Sequence, residues 1–221
     1  MGRVLPILFN GDMVRAILDG RKNVTRRAVK YKYSNTEMKI RTDKYDTRLI
    51  EIQKDIEGET HGKNPDGGTW RKLLPYIEKN PPYKKGDILY VREAYCPNYF
   101  SRSIAGYRGD GLRGNRNAYK ADYHKEIIGD TVPEPKWHPS IHMPKQAARI
   151  WLKVTDVRVE QLQNITIEGC EREGCRCGHN GDIFSFMELW DSTIKKADIS
   201  RYGWDANPWV WVIEFAQCGK P

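Results

Sequence analysis

Three residues at fixed spacing open the case for chemistry: Lys22, Thr25 and Arg27, in the run Gly20-Arg21-Lys22-Asn23-Val24-Thr25-Arg26-Arg27. An amine, a hydroxyl and a guanidinium delivered together suit an anionic ligand or a developing oxyanion. A charge run of this kind is equally often a solvated basic turn, so both readings stand at this point. The preceding residues have to position the group. Asp12 to Asp19 carries Met13, Ile17 and Leu18 at helical spacing, and Gly20 stands where a helix stops, because glycine enters the left-handed C′ conformation without a Cβ clash. The chain then enters a short extended or looped segment that holds Lys22, Thr25 and Arg27.

The pattern Gly20-x-Lys22-x-x-Thr25-x-Arg27 resembles the signature of the ASCH superfamily, relatives of the PUA RNA-binding barrel. Further blocks resemble ASCH proteins of phages and prophages: 13–18, Gly86-Asp87-Ile88-Leu89-Tyr90-Val91-Arg92-Glu93, 140–144, 154–159 and Asn207-Pro208-Trp209-Val210-Trp211-Val212. They follow the family's order across nearly the whole chain. The resemblance implies an α+β fold: a PUA-like closed mixed β-barrel with covering helices. It also implies candidate catalytic residues. Small ASCH hydrolases of N4-acetylcytidine use a lysine, a threonine and a glutamate. The first two match Lys22 and Thr25, and the stretch Leu162 to Thr166 followed by Glu173 resembles the approach to the third, with Glu168 and Glu171 as near neighbours.

Charge bears on the partner. The formal net charge is +8. Residues 1–30 carry seven Lys/Arg against two acids, and residues 101–125 carry six against two. Basic charge concentrated in this way suggests a polyanion. Candidate nucleic-acid contacts are Arg21, Lys22, Arg26 and Arg27, then Arg108, Arg113 and Arg116 in a Gly/Arg loop, and Arg149. No long apolar run and no basic amphipathic helix point to a membrane. No secretory signal is recognisable, which places the expected location in the cytoplasm. Five cysteines, an odd number, fit a reducing compartment. Cys170, Cys175, Cys177 and His179 fall within ten residues, and three thiols with an imidazole could bind zinc. They lack Cys-x-x-Cys knuckles, so a Gly-rich loop with incidental thiols is the favoured expectation, with no metal and no cofactor.

The rest of the chain reads as one domain over 1–221 with insertions at about 31–80 and 97–135. The first insertion is polar over 41–68 and should protrude as a hairpin and loop. Ile88 to Val91 is a short apolar run expected to be a core strand. Ile150, Leu152 and Val154 alternate, and Val157 and Val159 continue in the opposite phase, which predicts a bulge at Thr155-Asp156. One helix is expected to begin after Asn164-Ile165, with Thr166 or Asn164 as the cap, and another to run from Ile183 to Lys196. A last strand places Trp209, Trp211, Ile213 and Phe215 on one face.

Four functions follow from these residues. A hydrolase would use Lys22 as base, Thr25 as nucleophile and Glu173 as acid. A nucleic-acid or modified-nucleoside binder would keep Lys22 and Arg27 charged on phosphate. A nuclease would pair Lys22 with Glu173 or Glu93. An accessory protein would bind another protein through the barrel. A closed nucleoside-sized cavity at Lys22 would favour the first, and an open basic groove the second.

Overall fold

The computed structural model of the chain describes residues 2–34, 36–42, 47–53, 61–63, 69–71, 77–97, 117–123, 134–175 and 182–221. In chain order these hold β1 (Val4–Leu8), α1 (Gly11–Leu18), β2 (Val24–Ala28), β3 (Thr36–Thr42), β4 (Thr47–Gln53), β5 (His61–Lys63), β6 (Thr69–Arg71) and β7 (Ile77–Glu78). There follow β8 (Ile88–Arg92), β9 (Tyr95–Cys96), β10 (Ala118–Tyr119), β11 (Trp151–Gln161), α2 (Ile167–Arg172), α3 (Asp182–Thr193), α4 (Ile199–Tyr202) and β12 (Trp209–Cys218). The class is α+β.

The main sheet runs β1-β8-β11-β12-β2, parallel between β1 and β8 and antiparallel elsewhere. No backbone ladder joins β2 to β1 among the described residues, so the sheet is open there. Side chains cross that gap. Arg27 donates from Nη2 to the Leu8 carbonyl at 2.8 Å, and the Tyr83 hydroxyl donates to the Pro6 carbonyl at 2.8 Å. Both satisfy acceptors on the outer edge of β1, which would otherwise be exposed for pairing with another strand.

Alternation along β12 explains why the sheet is covered on both faces. Trp211, Ile213 and Phe215 join Ile7, Leu89 and Leu152 in one apolar cluster, while Val210 and Val212 join Leu162, Phe186 and Trp190 in another. Leu152, Val212 and Ile213 are fully buried; burial of each such side chain contributes about 1.5–3 kcal/mol. The expected bulge is present: the register between β11 and β12 shifts between Val154 and Asp156. Thr155 absorbs the phase change, so Val157 and Val159 pack against the same cluster as Ile150, Leu152 and Val154.

The first insertion differs from expectation in one respect. Its β3–β4 hairpin forms with β7 a separate small sheet, but Met38 and Leu49 sink into the main apolar cluster rather than protruding. Glu51 of β4 is 1% exposed and accepts from the Lys32 and Tyr33 backbone N–H groups, the Thr36 hydroxyl and the Lys79 ammonium. A buried carboxylate with this many donors fastens the hairpin to the body. The Gly/Arg loop 106–116, with Arg108, Arg113 and Arg116, lies outside the described residues, as do Cys177 and His179.

Candidate functional site

Local sequence places the basic motif. Asn10 caps α1 by accepting from Met13 N–H at 2.9 Å, and Val14, Ala16 and Ile17 turn inward. Gly20 then takes a φ of +75°, and its N–H donates to the Ile17 carbonyl. Lys22 N–H donates to the Ala16 carbonyl, folding the motif back onto the helix before β2 begins at Val24.

The opposite side comes from α2. Thr166 is its cap, accepting from Gly169 N–H at 3.1 Å, and the helix ends at Glu173 and Gly174. Gly174 has a φ of +88°, and a Cβ there would meet the Ala16 Cβ at 2.7 Å and the Lys22 Cβ at 3.1 Å. Glycine is therefore required twice over, by conformation and by contact. This close approach aims Glu173 at the motif.

The Lys22 side chain is fully buried and all three ammonium protons are used. Nζ donates to the Val24 and Glu173 carbonyls, each at 2.8 Å, and to Glu173 Oε2 at 2.5 Å. Its other neighbour is the Phe9 ring, 5.7 Å from Nζ to centroid. Burial pushes the Lys22 ammonium below the ordinary lysine value; Glu173 opposes that shift and Arg27 adds to it. Glu173 is 5% exposed and also accepts from Arg26 Nη1 at 3.2 Å.

Thr25, Arg26, Arg27 and Glu173 line one narrow cleft together with Met13, Phe186, Leu189, Trp190 and Thr193. The cleft encloses about 310 Å³ counted to its mouth, of which about 20 Å³ is wide enough for water. It is thus neither a nucleoside-sized cavity nor an open basic groove. Thr25 is 1% exposed, and among the described residues its hydroxyl makes no hydrogen bond, to Lys22 or to any other group. Lys22 and Glu173 are brought into contact, then, while Thr25 shares the cleft without touching the lysine's ammonium.

Among the described residues, the other cations selected from the sequence are engaged within the protein. Arg21 donates to the Gly174 carbonyl and pairs with Asp19. Arg26 takes Glu160 and Glu173, and Arg27 takes the Leu8 carbonyl. Arg149, expected as an anion contact, instead grips buried Glu93 through Nε and Nη2 at 2.8 and 3.0 Å, reaches Asp122, and stacks 4.1 Å from the Tyr119 ring centroid. Its partners are two carboxylates because Glu93, 1% exposed, needs a cation in an apolar surround. This also occupies Glu93, the alternative nuclease partner of Lys22. His142, whose sequence context allows either a structural role near the core or a place at the ligand site, is exposed.

Sequence reasoning missed Glu160 as the second partner of Arg26, and missed Met13, Phe186 and Trp190 as cleft walls. The four-residue spacing of Phe186 and Trp190 marked a core stripe; both side chains are buried and line the cleft as well. Cys170 is fully buried in the apolar cluster below, and no group of metal-ligating side chains occurs among the described residues.

No family model matches the chain, and neither a curated protein nor a solved structure matches it. Among the described residues no helix is long and apolar enough to cross a membrane.

Proposed function

We propose that the protein is an ASCH-type amidohydrolase acting on an N4-acylated cytosine nucleoside, with Lys22, Thr25 and Glu173 as its catalytic residues. The observation that carries the reading is the buried Lys22–Glu173 contact at 2.5 Å, with Thr25 lining the same cleft as Glu173. Phosphate binding alone gives no reason to bury a carboxylate against the motif's lysine. In a desolvated site, transfer of one proton from Nζ to Oε2 yields a free amine and a neutral carboxylic acid together. The Thr25 hydroxyl, which is not bonded to Lys22 in this structure, has to turn onto the amine when substrate enters. The amine then takes its proton as Oγ1 attacks the acyl carbon, and the Glu173 carboxyl protonates the departing exocyclic amine. Arg26 and Arg27 stand beside the cleft to hold the oxyanion. In the acyl-threonine, Nζ then passes a proton to Oε2 again, the amine takes a proton from the attacking water, and the Glu173 carboxyl returns its proton to Thr25 Oγ1 as the acyl–oxygen bond breaks.

This reading treats the five-stranded sheet as the open side of a PUA-like barrel in which Arg27 and Tyr83 cross the unpaired seam. It requires the α3 side chains Phe186, Leu189 and Trp190 to swing away as the base enters, because the cleft is narrow without it. Cys96, Cys170, Cys175 and Cys218 form no disulfide among the described residues, which suits the cytoplasm, where such a nucleoside would be met.

The test is release of carboxylate from N4-acetylcytidine. Lys22→Ala and Thr25→Ala should abolish it, and Thr25→Ser should retain part, because a hydroxyl remains. Absence of release by the native protein, or release that survives Lys22→Ala, overturns the proposal.

A second reading, RNA or DNA binding, rests on the net charge of +8. Affinity should then fall steeply with salt, and alanine at Arg108, Arg113 and Arg116 should make that dependence shallower. Salt-independent affinity, or none at low salt, removes it.

A further inference from the structure

We propose that Glu160 is a positioning residue that sets the proton affinity of Lys22 by taking two of the three hydrogen bonds that Arg26 makes here, which leaves Glu173 more fully to Lys22. The site contains two buried cations, Lys22 and Arg26, but only one buried carboxylate in contact with both, Glu173. The balancing charge arrives from across the sheet. Glu160 on β11 is opposite Val210 of β12, and Arg26 on β2 is opposite Val212 of the same strand. Residues directly paired share a face, and so do Val210 and Val212, two apart. Glu160 and Arg26 therefore meet diagonally above two fully buried valines, where screening by water is weak.

The bonds divide unequally. Arg26 gives Nε and Nη2 to Glu160 Oε1, at 3.1 and 2.8 Å, and gives Nη1 to Glu173 Oε1 at 3.2 Å. Lys22 receives the other Glu173 oxygen at 2.5 Å. With Glu160 neutral, the Arg26 charge would be opposed by Glu173 alone, and less of that carboxylate's charge would serve Lys22. Glu160 is restrained from behind by Arg158, whose Nε lies 3.5 Å from Oε2 and whose Nη1 binds Glu214. The other groups facing Lys22 are Arg27 from β2 and Cys175 after α2.

The consequence for catalysis rests on the hydrolase reading, so the deciding measurement does not use activity. The Lys22 Cε and Nζ resonances, assigned with Lys22→Arg, are titrated in the full-length native protein and its variants. Glu160→Gln should lower the Lys22 midpoint by about one pH unit. Glu160→Asp, which keeps the charge, should recover at least half of that shift. Arg158→Gln, at a side chain 42% exposed, should move the midpoint upward by freeing Glu160 for Arg26. The opposite sign keeps the idea testable if Glu160→Gln does not fold. An unmoved midpoint in folded Glu160→Gln, or a downward shift in Arg158→Gln, overturns the proposal. If the native protein also hydrolyses the acyl nucleoside, the acidic limb of its pH–rate curve should move with the midpoint. Shifted midpoints without any hydrolysis would remove the enzymatic reading and leave this one standing.

Discussion

Lys22 Nζ and Glu173 Oε2 lie 2.5 Å apart although 151 residues separate them in the chain. The contact exists because two helix ends meet. α1 stops at Gly20 and α2 stops at Gly174, and the second glycine presses against the Lys22 stem. Each turn is local; their meeting is not.

The first prediction concerns the cost of breaking this pair. Glu173→Gln leaves the Lys22 ammonium buried without its counter-charge and should lower stability by about 3 kcal/mol. Lys22→Met should cost less, because Glu173 keeps Arg26. In the double variant part of the Glu173→Gln loss should return. Urea denaturation of the four proteins measures this, and additive losses would contradict it.

The depressed Lys22 pKa also has a pH signature. The folded state loses the Lys22 proton at lower pH than the unfolded state does. Between those two values the unfolded chain binds more protons, so stability gains as pH rises. Native stability relative to Lys22→Met should therefore increase from its neutral-pH value toward the ordinary lysine pKa. A difference that falls with pH would mean that Glu173 outweighs burial.

Glu51 gives the opposite titration. Burial works against its charge, but Lys79, Thr36 and the Tyr33 and Lys32 N–H groups outweigh it and hold the carboxyl at about 2 against an ordinary 4.5. The carboxylate's contribution is complete above the ordinary value and is lost as pH falls toward 2. That contribution is about 3 kcal/mol. Acid unfolding compared between the native protein and Glu51→Gln should show this gap closing below pH 4.5. A pH-independent gap would deny the carboxylate its anchoring role.

Two glycines of similar backbone differ in surroundings. Gly20 has nothing within 4 Å of a built Cβ, whereas at Gly174 the Ala16 and Lys22 side chains are in the way. Gly20→Ala should cost about 1 kcal/mol from left-handed strain alone. Gly174→Ala should cost more and displace Glu173 from Lys22. Thermal melts rank the two, and equal losses would show that the contact yields easily.

Much of the frame was legible in the residues themselves. The stop at Gly20, the Thr166 cap, the bulge at Thr155 and the two-faced strand 209–215 all rest on interactions within a few positions, or on a period that any sheet imposes. Lys22, Thr25 and Glu173 were selected from motif likeness, and burial between α1, α2 and β2 was beyond that reading. Tertiary structure decided which charges remain available. Arg149 faces Glu93, Arg26 faces Glu160, and Glu51 is buried on a strand of the hairpin that composition marked as polar and protruding. Sequence records a charge but not the distance to its counter-charge. That distance depends on strand order and on how closely glycine lets two backbones approach, and both are properties of the folded chain.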